Sequence, residues 1–306
     1  MSAPAVAGPP APGAPPATRA RLADWLELTK PRITTMVAIT AAAGFLLAGS
    51  GRPAAASGAL LFWALLGTSL LASGASVLNQ VVERQWDARM RRTAGRPVPS
   101  GRVDPDAALA FGVGLVVLGL ATLLFQVNGI TAGLGALTVA GYVFVYTPMK
   151  RWTSLSTVVG AVPGAIPPMM GWTAARGELE LGAWALFGLL FFWQLPHFLA
   201  IAWMYRDDYA RGGFPMLTVL DPDGRRTAQQ MVLWSAALIP VSLLPAAFDL
   251  AGPIYFVAAL ALGLGYLACA LLFARAISVQ AARRVLLASV VYLPVILGAL
   301  VVDRLA

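Results

Sequence analysis

Charge is scarce in this chain. Of its 306 residues only 12% are Asp, Glu, Lys or Arg, whereas 58% are hydrophobic. So few charges cannot coat a globule of this size, which excludes an ordinary soluble enzyme; a bilayer solvates apolar side chains and leaves charge to the loops. The mean hydropathy of +0.74 excludes intrinsic disorder as the state of the whole chain. Cysteine is nearly absent as well. Cys269 stands alone inside an apolar run, so no intrachain disulfide can form and the residue reads as a small packing group. Histidine too occurs once, as His197, and no Ser-His-Asp or Cys-His arrangement for nucleophilic catalysis stands out. Acidic residues number 14 against 22 basic, a net charge of +8. The basic residues lie between apolar segments rather than on one polar face, which argues against nucleic acid as the partner.

What is present is a series of long apolar runs. A bilayer core takes about 20 apolar residues per helix, and nine segments meet that length: 33–49, 59–82, 107–125, 129–147, 153–172, 181–204, 231–250, 252–273 and 285–302. Spanning strands would alternate over ten-residue stretches, so the fold class is an all-α polytopic membrane protein with nine transmembrane helices. Residues 1–29 read as a Pro/Ala-rich disordered cytoplasmic tail and juxtamembrane segment, and 30–306 as one transmembrane domain. Arg19 and Arg21 follow the uncharged stretch instead of preceding an apolar run, which is not the order of a signal peptide. Nineteen of the 22 Lys and Arg fall on one side of these spans, and the remaining three are Arg52, Arg176 and Arg304. That asymmetry predicts a cytoplasmic N-terminus and an extracytoplasmic C-terminus.

Chemistry concentrates at the end of the second span. Asn79, Glu83 and Asp87 stand at i, i+4 and i+8, positions that share one helix face because each step drifts only about 40° and rises about 6 Å. Amide and carboxylate oxygens are the hard ligands Mg²⁺ takes, usually with phosphate and water completing the shell. A solvated helix end paired with arginines is the other use of such a row. Arg92 and Arg96 follow within two turns, and guanidinium groups suit phosphate oxygens, although positive-inside topology alone also accounts for them. Lys150 and Arg151 end the fourth span one turn after Tyr146, where topology anchors are common. Pro163, Pro167 and Pro168 predict a kink in the fifth span that widens a cavity.

The run Asn79-x-x-x-Glu83-x-x-x-Asp87-x-x-Met90-x-Arg92-Thr93-x-x-Arg96-Pro97 resembles the first signature of the UbiA superfamily of intramembrane prenyltransferases, and within it the members that prenylate protoheme. Tyr146-Thr147-Pro148-Met149-Lys150-Arg151, with Gly160 to Pro168 after it, is similar to that group's fourth and fifth helix region. Trp193-Gln194-Leu195-Pro196-His197-Phe198 and the following Asp207-Asp208-Tyr209 loop are similar to its sixth helix and loop. The resemblance implies a farnesyl group passing from farnesyl diphosphate to a vinyl group of heme B, with water added, to give heme O and diphosphate. It implies Mg²⁺ at Asn79, Glu83 and Asp87, with Asp207 and Asp208 as further metal ligands, and diphosphate at Arg92, Arg96, Lys150 and Arg151. Tyr146 is expected along the carbocation path, and His197 and Gln194 against heme. The partners so implied are membrane lipid and a heme A synthase or terminal-oxidase assembly, in a bacterial inner (plasma) membrane.

Two departures stand out. Glu83 replaces the Asp common at its position, and Asp207 and Asp208 are adjacent where relatives acting on quinone precursors space two Asp residues four apart. A transporter is the rival from another class, but its ionisable residues belong near the bilayer midplane, and here they cluster at one face.

Overall fold

Every element of regular structure among the described residues is helical. The computed structural model describes residues 20–49 and 57–305, so the tail expected over the first 18 residues, like Arg52, lies outside the described residues. The order is α1 Leu22–Leu28, α2 Pro31–Gly49, α3 Gly58–Asp87, α4 Pro105–Gln126 and α5 Gly129–Ala140. A π turn over Gly141–Tyr146 leads to α6 Thr147–Met149, then come α7 Ser156–Ala165, α8 Pro167–Arg176 and α9 Leu181–Met204. Short helices α10 Arg206–Gly212 and α11 Leu217–Leu220 precede α12 Arg225–Ala247, α13 Pro253–Arg275 and α14 Val279–Leu305.

Eight helical segments are long and apolar enough to cross a membrane, one of them the continuous run of α5, the π turn and α6 over Gly129–Met149, and they match eight of the nine expected spans. The span expected over 153–172 differs in form: it is two ten-residue halves, α7 and α8, meeting at Ile166. Pro167 and Pro168 cannot donate to the carbonyls one turn back, so the hydrogen-bond ladder stops there. Before the first span, α1 is an ordered helix in what composition suggested was only a juxtamembrane stretch.

Small residues set the closest approaches, as they do where lipid removes any hydrophobic drive between helices. Gly67 and Gly74 on α3 face Gly119 and Gly112 on α4, near enough that a Cβ at Gly74 would come within 2.8 Å of the Gly112 carbonyl. Gly44 on α2 and Gly171 on α8 do the same for that pair, Gly171 lying against the Ala41 carbonyl. α3 is 30 residues long, about 45 Å at 1.5 Å per residue, so it outruns the hydrocarbon core and carries its last turns into the interface.

Two small apolar clusters brace the loops at that end. Leu28, Val77, Val81, Val98 and Val103 hold α1 and the 88–104 loop against α3, while Met90, Phe214 and Met216 pin the same loop to the segment after α10. Arg102 adds polar ties, reaching Asp24, Glu27 at 2.9 Å and the Gly95 carbonyl at 2.7 Å.

Candidate active site

The row on α3 is buried to a degree that demands partners: Asn79 is 2% exposed, Glu83 5% and Asp87 1%. Each has one. Asp87 Oδ2 meets Arg96 Nη1 at 2.6 Å, closing the 88–104 loop back on the helix end. Glu83 is ion-paired with Lys150, whose ammonium also lies 4.7 Å from the centre of the Tyr146 ring. Burial alone would lower the Lys150 ammonium, but Glu83 and Tyr142 offset that and leave it above its ordinary value.

Asn79 is oriented by a relay. Thr147 Oγ1 donates to the Tyr142 carbonyl at 2.8 Å, so it can only accept from Asn79 Nδ2, at 3.1 Å. The Asn79 amide oxygen is thereby left free. The π turn produces this arrangement: Pro148 has no N–H to continue an α ladder, and the Thr147 N–H bonds five residues back to Tyr142. Gly160 on α7 then admits the Tyr146 ring, which a Cβ there would meet at 2.5 Å.

Beneath the charged row lies a cavity of about 310 Å³ between α2, α3, the π turn, α7, α8 and α9. Its walls include Leu71, Met170 and Phe198, with Tyr142 and Tyr146 toward the charged end and Gln194 on the α9 side. Gln194 is held by its Nε2, which donates to the Ala161 carbonyl at 2.7 Å. Lys30 also lines the cavity. Burial first, then the cations of Arg96 and Lys150, push its ammonium down to about 7, with Glu83 and Asp87 pulling the other way. Lys30 has a φ of 48°, an uncommon left-handed conformation for a residue with a side chain, in the turn between α1 and α2. Its place in the site is invisible in the sequence, where it is one more basic residue before a span.

The other expected residues distribute as follows. Arg92 stacks its guanidinium over Tyr205 at 5.1 Å and Tyr209 at 5.7 Å. Arg151 stacks over Trp86 at 4.0 Å. Asp208 is buried and accepts from the backbone N–H groups of Arg91 and Arg92, at 3.1 and 3.2 Å, as well as from Arg211. It therefore braces the arginine loop. Asp207 points outward with 85% of its side chain exposed and pairs with Arg206 at 3.8 Å. His197 and Gln194 sit on different faces of α9: Gln194 faces the cavity, whereas His197 stacks on Trp193 and bonds Ser289 on α14 at 2.7 Å.

The donor set fits Mg²⁺. Asn79 Oδ1 is free, Glu83 Oε1 is buried and accepts no hydrogen bond beyond its contact with the ammonium, and Asp87 supplies a second carboxylate. Among the described residues no three His, Cys, Asp or Glu converge on a metal position. Such an ion would need oxygens from a bound phosphate to complete its shell.

A membrane-embedded helical bundle with cations and hard oxygen donors set above an apolar cavity is what an intramembrane prenyltransferase requires, and residues 37–293 match the UbiA prenyltransferase family. The chain belongs to that family and is an integral membrane enzyme of it. Among its relatives, the protoheme IX farnesyltransferase of Solibacter usitatus is 49% identical over 290 residues, covering 92% of this chain and 98% of the relative. The protoheme IX farnesyltransferase of Salinibacter ruber is 50% identical over 280 residues, with the same coverage. Solved structures share the fold: digeranylgeranylglyceryl phosphate synthase superposes with a TM-score of 0.77 at 15% identity, covering 92% of this chain and 98% of that one. A UbiA homologue of Archaeoglobus fulgidus bound to GPP and Mg²⁺ gives 0.65 at 15% identity, covering 90% and 99%.

Proposed function

We propose that this chain transfers the farnesyl group of farnesyl diphosphate to a vinyl group of heme B, with addition of water, yielding heme O and diphosphate. The observation that carries the reading is the adjacency of a buried charged row and an apolar cavity, joined through Tyr146, which lines the cavity and has the Lys150 ammonium 4.7 Å over its ring. An amphiphile with an anionic diphosphate head and an isoprenoid tail suits both halves. The acceptor comes from the near full-length kinship with protoheme IX farnesyltransferases.

In this reading the diphosphate lies among Arg92, Arg96, Lys150, Arg151 and Lys30, and the farnesyl chain runs into the cavity past Leu71, Met170 and Phe198. Asn79, Glu83 and Asp87 would hold Mg²⁺, which neutralises charge on the leaving group. As the C1–O bond breaks, its electron pair leaves with diphosphate. Lys150 and the arginines stabilise charge where it develops, usually the largest catalytic effect. The allylic cation is met by the face of Tyr146, whose quadrupole favours a cation. The vinyl carbon supplies the electron pair for the new C–C bond. Water adds to the resulting cation beside the porphyrin, and one proton is lost, leaving the hydroxyl group of heme O. Asp208 acts as a positioning residue for Arg92. Gln194 and His197 are the acceptor's contacts, and their placement on adjacent faces of α9 suits a ligand as wide as a porphyrin, its iron toward one and a vinyl edge toward the other.

In this reading the enzyme lies in a bacterial plasma membrane with its site on the cytoplasmic side, an orientation that the charge asymmetry supports, and heme O would pass from there to a heme A synthase or an oxidase under assembly. Purified protein given farnesyl diphosphate, heme B and Mg²⁺ should yield heme O by mass spectrometry. Recovery of unmodified heme B alone, from protein that binds both substrates, overturns the reading.

A further inference from the structure

The single histidine is held in a way that the proposed chemistry above does not require. Ser289 Oγ donates to the Leu286 carbonyl at 2.6 Å, one turn back on α14. A serine hydroxyl has one proton to give. Toward His197 Nδ1, 2.7 Å away, it can then only accept. Nδ1 must carry the proton, and Nε2 is left with a lone pair. The ring is fixed in plane as well as in tautomer. Trp193, one turn back on α9, stacks on it with centroids 5.2 Å apart and planes at 26°. That indole donates to the Ser289 carbonyl at 2.9 Å, so the same serine anchors both rings. Tyr266 on α13 closes the frame, its hydroxyl donating to the Trp193 carbonyl at 3.3 Å. Nε2 makes no hydrogen bond among the described residues, yet it is absent from the buried atoms that lack a partner. It thus keeps some accessible surface, on a half-buried residue of α9.

Histidines that bind metals are built this way: the nitrogen away from the metal donates its proton to a fixed acceptor, which sets the tautomer, aims the ring and raises ligand basicity. We infer that Ser289 is a positioning residue that locks His197 as the Nδ1–H tautomer, so that Nε2 is presented as an axial ligand to the iron of the acceptor. The acceptor class follows. The site takes a metalloporphyrin with an open axial position, and it selects against the metal-free porphyrin of the same outline. The inference rests on heme being the acceptor, and its test is separable from that reading.

Because histidine occurs once, ring ¹⁵N labelling of the full chain, purified in nanodiscs without a histidine tag, gives one imidazole to observe. The expected spectrum has a pyrrole-type Nδ1 and a pyridine-type Nε2. The reverse pattern overturns the proposal with no mutation needed. Titration with ferric heme B and with metal-free protoporphyrin IX supplies the second readout. Ser289→Ala should weaken heme binding roughly 10- to 100-fold and alter its absorption spectrum. Binding of the metal-free porphyrin should not change, and Ser289→Thr, which keeps an acceptor oxygen, should restore heme affinity. If Ser289→Ala leaves heme affinity and spectrum unaltered while His197→Ala changes both, His197 remains a ligand but the lock is refuted. If neither variant alters heme binding, iron ligation is refuted, and heme O formation by the wild-type protein still decides the acceptor separately.

Discussion

Asp87 and Arg96 meet at 2.6 Å across nine residues of sequence, and the carboxylate of that pair is 1% exposed. The contact ties the arginine loop to the helix that carries the proposed metal ligands, so one residue serves both the site and its closure. Asp87→Ala should abolish measurable turnover, as should Asn79→Ala, because each removes an oxygen from the proposed site and acts mainly on kcat. Arg96 loses its partner only in the first variant, so Asp87→Ala should also unfold at lower temperature than Asn79→Ala. Near-normal heme O production by either purified variant would return the row to a solvated helix end.

Lys150 stands between Glu83 and the Tyr146 ring. Replacing it with Ala removes a charge matched to the leaving group and leaves Glu83 buried without its cation. Turnover should fall roughly 10²- to 10³-fold, while affinity for heme B changes little. Paired titrations with heme and with a non-ionising farnesyl diphosphate analogue read the two effects apart. Loss of heme binding with analogue binding intact would mean the two substrates have been assigned to the wrong ends of the cavity.

Lys30 gives the site a pH dependence of known sign. Its ammonium, lowered to about 7 among Arg96, Lys150, Glu83 and Asp87, is charged below that pH and neutral above it. An anionic head group binds the charged form better, so affinity for the farnesyl diphosphate analogue should be highest below about pH 7 and decline as pH rises through it. In Lys30→Met the affinity should be lower and that decline should vanish. An unchanged pH profile in the variant would assign the dependence to the diphosphate itself.

Much of this was legible in the sequence, and the failures have physical causes. Hydropathy finds spans because lipid selects for apolar length, but it does not see hydrogen bonds, so the stretch over 153–172 read as one span with a kink, where Pro167 and Pro168 in fact divide it into two separate helices. The row Asn79, Glu83, Asp87 was legible from its four-residue spacing. That its carboxylates are already matched to Lys150 and Arg96 is a tertiary fact. Lys30 was hidden by the positive-inside rule, which accounts for every basic residue near a span and therefore distinguishes none. Gln194 and His197 looked like one heme-facing pair, and three residues along a helix leave their side chains only about 60° apart, yet packing gives Gln194 the cavity and His197 the α14 side.

The charge asymmetry makes a topological prediction. Reporter fusions before α2 should be cytoplasmic and those after α14 extracytoplasmic, since α7 and α8 together make one crossing. Cytoplasmic activity at both positions would mean that the broken helix pair enters and leaves by the same face.

Two glycine substitutions should separate packing from chemistry. At Gly171 a Cβ would lie 1.8 Å from the Ala41 carbonyl oxygen, a backbone atom of α2 that has nowhere to go. Gly171→Ala should force α2 and α8 apart, cost roughly 3 kcal/mol or more, and lower thermal stability and activity together. At Gly160 the clash is with the Tyr146 ring, at 2.5 Å, and a side chain can turn away. Gly160→Ala should therefore insert and fold with a near-normal melting temperature, while turnover falls because the displaced ring enters the cavity and leaves the path of the cation. Adding Tyr146→Ala to Gly160→Ala removes the clash but not the loss of the aromatic face, so the double variant should regain farnesyl diphosphate binding without regaining rate. Full recovery of rate in the double variant would show that Tyr146 only occupies space there.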